Sequence, residues 1–386
     1  MPSAHGKETP HRLLFLVTED WYFCSHRLTL AIAARNAGYN VAVATRVQRH
    51  GDAIRDAGIE LIPLDWSRRG RNVLKEARAI QQIADVYRSW RPDLVHHVAA
   101  KPIIYGSIAA ALAGVPRTVN AIAGLGYVFT SSDTAARLIR PIVTKIYRWA
   151  LSRPGSTLIV QNSDDLAFIK SAKLTGLNRV ELIEGAGVDI SRYKPSIEPP
   201  GRPLVVLPAR MLRDKGVAEF AAAAAIVKTR FDARFALVGD ADSHNPSSYT
   251  VTELRELAFA GAVEWWGWQD DMRAVFEQSH IVCLPSYREG LPKALIDAAA
   301  CGRPIVTTNV PGCRAVVRDG ENGFLVPAGD PTALADALLR LLQDPQLRTK
   351  MGQAGRTIAE QRFSIGRVIE QTLALYGTAL QRAYVR

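Results

Sequence analysis

The chain has 386 residues, 48% of them hydrophobic and 22% charged, without a low-complexity block, so it is read as a globular protein too long for one core, with two domains expected. The opening MPSAHGKETPH lacks the apolar core of a signal peptide, and no apolar run approaches the roughly 20 residues of a spanning helix, which gives a cytoplasmic expectation. The net charge of +11 is uneven: residues 1–198 hold 26 Lys and Arg against 17 Asp and Glu, +9, and residues 199–386 hold 22 against 20, +2. The first half is thus expected to meet an anion, a phosphorylated substrate or a lipid surface; no RNA-binding signature or basic recognition helix is present, and nucleic acid is not expected as a partner.

In chain order, a tail (1–11) precedes the short apolar runs RLLFLV (12–17), YNVAVAT (39–45), IELIPL (59–64), DLVHHV (93–98), RTVNAI (117–122) and TLIVQN (157–162), which alternate with helix-like stretches. That is the rhythm of a buried parallel sheet. After the Pro- and Gly-rich KPSIEPPGRP the rhythm restarts with LVVLPA (204–209), ARFALVG (233–239), VEWWGW (263–268), IVCLPS (281–286) and PIVTTN (304–309). The expected fold is α/β, with two doubly wound Rossmann-like domains facing across a cleft: 12–190, a linker at 191–202, and 203–362. Residues 363–386 are expected to form a helix crossing back to the first domain. Cys24, Cys283, Cys301 and Cys313 show no C-x-x-C spacing and are read as reduced core residues, with no metal expected.

Ligands of such folds sit at the carboxyl ends of the strands. There, PARMLRDKGVAEFAAA places Arg210 and Lys215 in a short loop, with Gly216 opening an Ala-rich helix. Two cations beside a helix N-terminus can clamp a diphosphate; the bland alternative is a solvated basic loop. In LPSYREGLPKALIDAAACGRPIV, Glu289 stands before a helix start with Pro292 in its first turn, and Asp297 lies inside that helix. Glu289 could be a cap and Asp297 a surface charge. Gly290 beside Glu289, however, frees successive amides for an anion, and a nucleotide sugar would use both: phosphates for the amides, hydroxyls for the carboxylates.

PARMLRDKG, VEWWGWQDDM, PSYREGLPKALIDAAACGRPIVTTNVPG and ENGFLVPAGD together resemble the C-terminal domain of family 4 retaining glycosyltransferases of the GT-B fold. EDWYFCSHRLTLAIAARNAGYNVAVAT, DLVHHVAAKPIIYG and AIAGLGYVFTS are similar to the bacterial branch that builds lipid-linked polysaccharide and O-antigen precursors. The resemblance implies a metal-independent enzyme without a cofactor, moving a hexosyl or N-acetylhexosaminyl group from a UDP-sugar to a polyprenyl-diphosphate-linked saccharide. It implies catalytic roles for Glu289, Arg210 and Lys215, the two cations neutralising the donor diphosphate. Donor binding would add Gly239, Gly290, Leu291 and Asp297, where Asp stands one methylene short of the family's second Glu. The His that many members carry after RTVNAI is absent, since Ala121, Ile122 and Ala123 stand there.

Acceptor binding is assigned to His97, Lys101, Gly124, Gly126 and Tyr127, with a structural imidazole as the alternative for His97. The segment 134–153 reads as a basic amphipathic helix, with Leu138, Ile139, Ile142, Val143, Ile146, Tyr147, Ala150 and Leu151 on one stripe. It is expected either to lie on an anionic membrane at the inner face of the cell membrane or to pack on the first sheet. A GT-B epimerase, and a silent sugar-nucleotide-binding subunit, stay open as alternatives.

Overall fold

The apolar runs of the first half become the strands of a parallel sheet whose central strands are buried on both faces. β1 (Arg12–Glu19), α1 (Asp20–His26), α2 (Leu28–Asn36), β2 (Asn40–Arg46), α3 (Gly51–Asp56), β3 (Glu60–Pro63), α4 (Val73–Trp90), β4 (Leu94–Val98), α5 (Ala100–Ala113), β5 (Thr118–Ile122), α6 (Thr134–Leu151), β6 (Ser156–Val160), α7 (Ser163–Ser171) and β7 (Val180–Leu182) follow one another. Strand order is β3-β2-β1-β4-β5-β6-β7. The computed structural model describes residues 9–66, 72–122, 124, 134–175, 180–242 and 245–381.

The second half repeats the plan: β8 (Leu204–Pro208), a 3-10 turn (Arg213–Lys215), α8 (Val217–Lys228), β9 (Arg234–Val238), α9 (Val251–Phe259), β10 (Glu264–Gly267), α10 (Met272–Gln278), β11 (Ile281–Leu284), α11 (Lys293–Ala300), β12 (Ile305–Thr308), α12 (Cys313–Val316), β13 (Gly323–Val326), α13 (Pro331–Gln343), α14 (Pro345–Arg362) and α15 (Ile365–Gln381). Its parallel sheet has the order β10-β9-β8-β11-β12-β13. In each sheet the order reverses beside the first strand, so a crevice is expected at the carboxyl ends of β1 and β4, and of β8 and β11. The edge strands β7 and β13, three and four residues long, are additions to the eleven runs read in the sequence.

Contacts divide the chain into Met1–Ile183 with Ile369–Arg386, and Glu184–Val368. The last part of α15 thus belongs to the first unit, where Tyr376 meets His96. The expected linker is corrected: residues 191–202 are part of the second unit. Arg356 donates to the carbonyls of Ile190, Tyr193 and Ala300. Arg348 grips Glu198 with two 2.8 Å bonds, Arg303 reaches Ser196, and His280 Nε2 donates to the Pro199 carbonyl. Pro and Gly signal irregular backbone, and here that backbone is satisfied by side chains distant in sequence.

The four cysteines are free thiols, three of them buried. Among the described residues no His, Cys, Asp and Glu group could hold a metal, and no helix is long and apolar enough to cross a membrane.

Arg356→Ala should unstrap this segment, leaving carbonyls unpaired at a cost of about 1–3 kcal/mol. Urea unfolding would read that loss, and limited proteolysis should cut within 190–202 in the variant while sparing the parent.

Candidate functional site

In the second unit the carboxyl ends of β8 and β11 bring the two sequence motifs together. β8 is fully buried and ends at Pro208. The chain then runs through Arg210 and the 3-10 turn to Gly216, whose left-handed φ of 74° opens α8 without a side-chain cap. A Cβ on Gly216 would stand 2.2 Å from the Pro285 carbonyl oxygen. Only glycine permits this approach of the Lys215 loop to the exit of β11.

Lys215 Nζ donates to Glu289 Oε1 at 2.5 Å across 74 residues of sequence. Ser286 Oγ donates to the same oxygen at 2.7 Å. The pair is mostly shielded, with side-chain exposures of 18% and 10%. Arg210 pairs with Asp242 at 2.6 Å. Below, Asp214 accepts from Ser247 and Arg288 and its carbonyl takes the Tyr287 N–H, which ties the Lys215 turn to the Glu289 loop. Burial raises the Asp214 pKa, but Ser247 and Arg288 outweigh it and hold the carboxylate below its usual range.

Glu289 and Gly290 are held from the other side by Gly312, at φ 80°, where a Cβ would lie 2.4 Å from the Gly290 oxygen and 2.8 Å from that of Glu289. Thr308 donates its hydroxyl to the Ser286 carbonyl beneath the loop. Pro292 is the N-cap of α11 and not a first-turn residue. Leu291 packs on Gly185, whose Cβ would meet it at 2.6 Å. Gly239 donates to the Gly267 carbonyl and accepts from Trp265 Nε1; its contribution is the close approach to Ala209, 1.9 Å from a would-be Cβ.

Asp297 is buried, and both its oxygens accept from Lys293 one turn earlier, at 2.7 and 2.8 Å. Burial pushes its pKa up, and Lys293 recovers only part of that. Lys293 Nζ in turn lies 5.4 Å from the Tyr193 ring centroid. The short carboxylate is therefore drawn back along its own helix.

In the first unit the acceptor set separates. His97 is wholly buried, its Nδ1 donating to Asn120 Oδ1 at 2.8 Å and its Nε2 accepting from the Tyr87 hydroxyl at 3.0 Å. Burial lowers its pKa to about 4, against the Asn120 bond. This corrects the acceptor expectation: with both nitrogens engaged, His97 is a core imidazole. Lys101 pairs with Glu76 at 2.6 Å, its Nζ 4.8 Å from the Tyr105 ring centroid. Gly124 has φ 103°, and Gly126 and Tyr127 lie outside the described residues.

Sequence reading missed Ser286, Lys293 and Gly312, and the pairing of Asp242 with Arg210. Ser286 and Lys293 were within reach, three before Glu289 and four before Asp297; Asp242 and Gly312 join the site only through the strand order.

With this geometry in place, family models match both halves: "Glycosyl transferase 4-like" over residues 12–163 and "Glycosyl transferases group 1" over residues 202–344. The chain belongs to the family 4, group 1 glycosyltransferases. Among its relatives, N,N'-diacetylbacillosaminyl-diphospho-undecaprenol alpha-1,3-N-acetylgalactosaminyltransferase of Campylobacter jejuni is 25% identical over 92% of this chain and 95% of its own length. UDP-Gal:alpha-D-GlcNAc-diphosphoundecaprenol alpha-1,3-galactosyltransferase of Escherichia coli is 25% identical over 80% of this chain and 81% of its own. In fold, this glycosyltransferase matches sucrose-phosphate synthase of Thermosynechococcus elongatus with a TM-score of 0.79 at 19% identity, covering 95% of this chain and 98% of that one. It matches Anabaena HepE in complex with UDP with a TM-score of 0.76 at 18% identity, covering 95% of this chain and all of that one. The fold is GT-B.

Gly312→Ala should displace the Glu289 peptide and force a left-handed backbone on alanine, costing on the order of 1–3 kcal/mol. Calorimetry should show a lower Tm together with weaker UDP binding; unchanged UDP affinity would mean that the loop does not depend on this contact.

Proposed function

We propose that this glycosyltransferase is a retaining, metal-independent enzyme that moves a hexosyl or N-acetylhexosaminyl group from a UDP-sugar to a polyprenyl-diphosphate-linked saccharide at the inner face of the cell membrane. The observation that carries the donor half is the meeting of Lys215 with Glu289 at the strand ends where Arg210 also emerges. A cation bound to a carboxylate offers two faces to a sugar diphosphate: positive charge for the leaving phosphate and an acceptor oxygen for sugar hydroxyls. As the glycosidic bond breaks, negative charge grows on the diphosphate, and Arg210, Lys215 and the N-terminus of α8 lower its energy where water is scarce. The UDP complex of the fold neighbour supports a uridine donor. The names of the two relatives support an acceptor on undecaprenyl diphosphate.

The membrane part rests on α6. Its apolar stripe divides: Tyr147, Ala150 and Leu151 are in the core of the first unit, whereas Leu138, Ile139 and Ile142 are 72%, 45% and 62% exposed. Pro141 lies inside the helix, among the exposed residues. Arg148 donates to the carbonyls of Ala172 and Lys173 and so belongs to the packed half. Exposed aliphatic side chains among Arg137, Arg140 and Lys145, with no acid in the helix, match an anionic bilayer surface.

Arg210→Ala and Lys215→Ala should each lower turnover by on the order of 10²-fold or more, with weaker UDP binding. Release of UDP from a UDP-sugar panel, with and without polyprenyl-diphosphate-linked acceptors, would measure both the activity and its loss. Binding without acceptor-dependent turnover by the parent protein would point instead to a silent binder.

Glu289→Gln should depress kcat, since it would read the sugar that gains positive character. Asp297→Ala should chiefly raise donor KM, by roughly 1.5–3 kcal/mol. Asp297→Glu should keep activity if the carboxylate reads the ribose; wild-type kinetics in Asp297→Ala would leave it as a partner of Lys293 alone.

Replacing Leu138 and Ile142 with Ser and Arg137 and Lys145 with Gln should abolish flotation with phosphatidylglycerol vesicles, the charges contributing about 1 kcal/mol each. Turnover on a soluble acceptor should persist.

A further inference from the structure

At the carboxyl end of β1 the first unit holds a wholly buried carboxylate, Asp20, that the donor chemistry does not use. Its Oδ2 accepts the backbone N–H groups of Gln48, Arg49 and His50 at 2.7, 3.0 and 2.8 Å, and its Oδ1 that of Trp21 at 2.7 Å. Burial alone would raise its pKa, but the four amides hold it below the usual range. Three successive amides converging on one oxygen form an anion nest, here filled from within the chain.

The nest fixes the loop that leaves β2, and that loop is cationic. Arg46 ends the strand with its guanidinium 3.8 Å from Glu19. Arg49 is exposed and has no ion-pair partner among the described residues. His50 is 40% exposed, its Nδ1 3.9 Å from Asp20 Oδ1. Asp20 is saturated by amides, so its charge anchors the loop, in which Arg49 is exposed and Arg46 is partly exposed beside Glu19. Strand β1 borders the reversal of strand order, where folds of this kind take their ligands.

We infer that the loop 46–50 is the subsite for the diphosphate of the lipid-linked acceptor, with Arg46 and Arg49 contacting its oxygens and Asp20 acting as the positioning residue that holds them ready. This rests on the acceptor class proposed above. Two guanidiniums in a rigid loop give the bidentate donors that a diphosphate takes, and pre-ordering the loop removes the entropy of gathering them at the moment of binding.

The test uses the full chain in neutral detergent and farnesyl diphosphate as the probe, with farnesol and UDP as controls. Farnesyl diphosphate should bind and farnesol should not. Arg46→Gln combined with Arg49→Gln should weaken farnesyl diphosphate about tenfold or more, the loss expected for one charged hydrogen bond or more, and leave UDP affinity unchanged. Asp20→Asn should weaken it too. Because that variant removes a buried charge, the arginine pair carries the decision: the substitutions change one exposed and one partly exposed side chain and leave in place the backbone amides that hold Asp20.

Wild-type affinity in the arginine pair, or no binding of farnesyl diphosphate by the parent, overturns the inference. So does a loss confined to phosphatidylglycerol vesicles, which would assign the loop to lipid headgroups. Transfer to a polyprenyl-diphosphate-linked saccharide by the parent protein is measured separately. A parent that transfers while its arginine pair binds farnesyl diphosphate normally refutes the subsite and spares the acceptor class, whereas a parent that never uses such acceptors refutes the class.

Discussion

Backbone meeting backbone with no side chain between is the constraint on which the second unit's site depends. Gly216 lies on the carbonyl of Pro285, Gly239 on that of Ala209, and Gly312 on those of Glu289 and Gly290. Each would suffer a collision from one added carbon, and each has a positive φ that a side chain would strain. The Gly216 approach draws the exits of β8 and β11 together and the other two pin the neighbouring strand ends to them, so that Lys215 can donate to Glu289. The charged pair is a consequence of the packing. Without it, each group would face a desolvated neighbourhood alone, which is the costly arrangement for a charge.

The parallel sheets were legible because strands buried on both faces are written as continuous Val, Leu, Ile and Ala runs, and the motifs around Arg210 and Glu289 were legible because loop chemistry is local. What failed was nonlocal. KPSIEPPGRP looks like a linker by composition, yet Arg303 and Arg348, both more than a hundred residues on, bind its Ser196 and Glu198 side chains, and Arg356 holds the carbonyl of Tyr193 just before it. His97 carries no local sign that Tyr87 and Asn120 will enclose it. An amphipathic stripe reports periodicity alone, so α6 could not disclose that one half is covered and the other bare.

The basic excess of the first half has a similar lesson. A net charge of +9 over residues 1–198 reads as a single signal, but the structure sorts its members. Arg12 stacks on Trp90 with 4.4 Å to the ring centroid, Lys101 is matched by Glu76, and Arg148 closes a turn by binding carbonyls. These cations serve the fold. Others, such as Arg49 and Arg137, are exposed, so the excess divides into cations that serve the fold and cations left to the surface.

The chain enters and leaves the second unit side by side: Val188 donates to the Phe363 carbonyl, and Ile365 donates to that of Val188. The second unit is therefore a continuous insert, Glu184–Val368, whereas the first is interrupted and regains residues 369–386 only at the end. On the ribosome the order of completion is inverted. The half synthesised first must wait, with the buried His96 lacking its Tyr376 partner, until the last helix has emerged, while the half synthesised second can close beforehand. Early termination near residue 368 would leave the second unit whole and the first without the helix that covers His96, a state for chaperones and proteases to find.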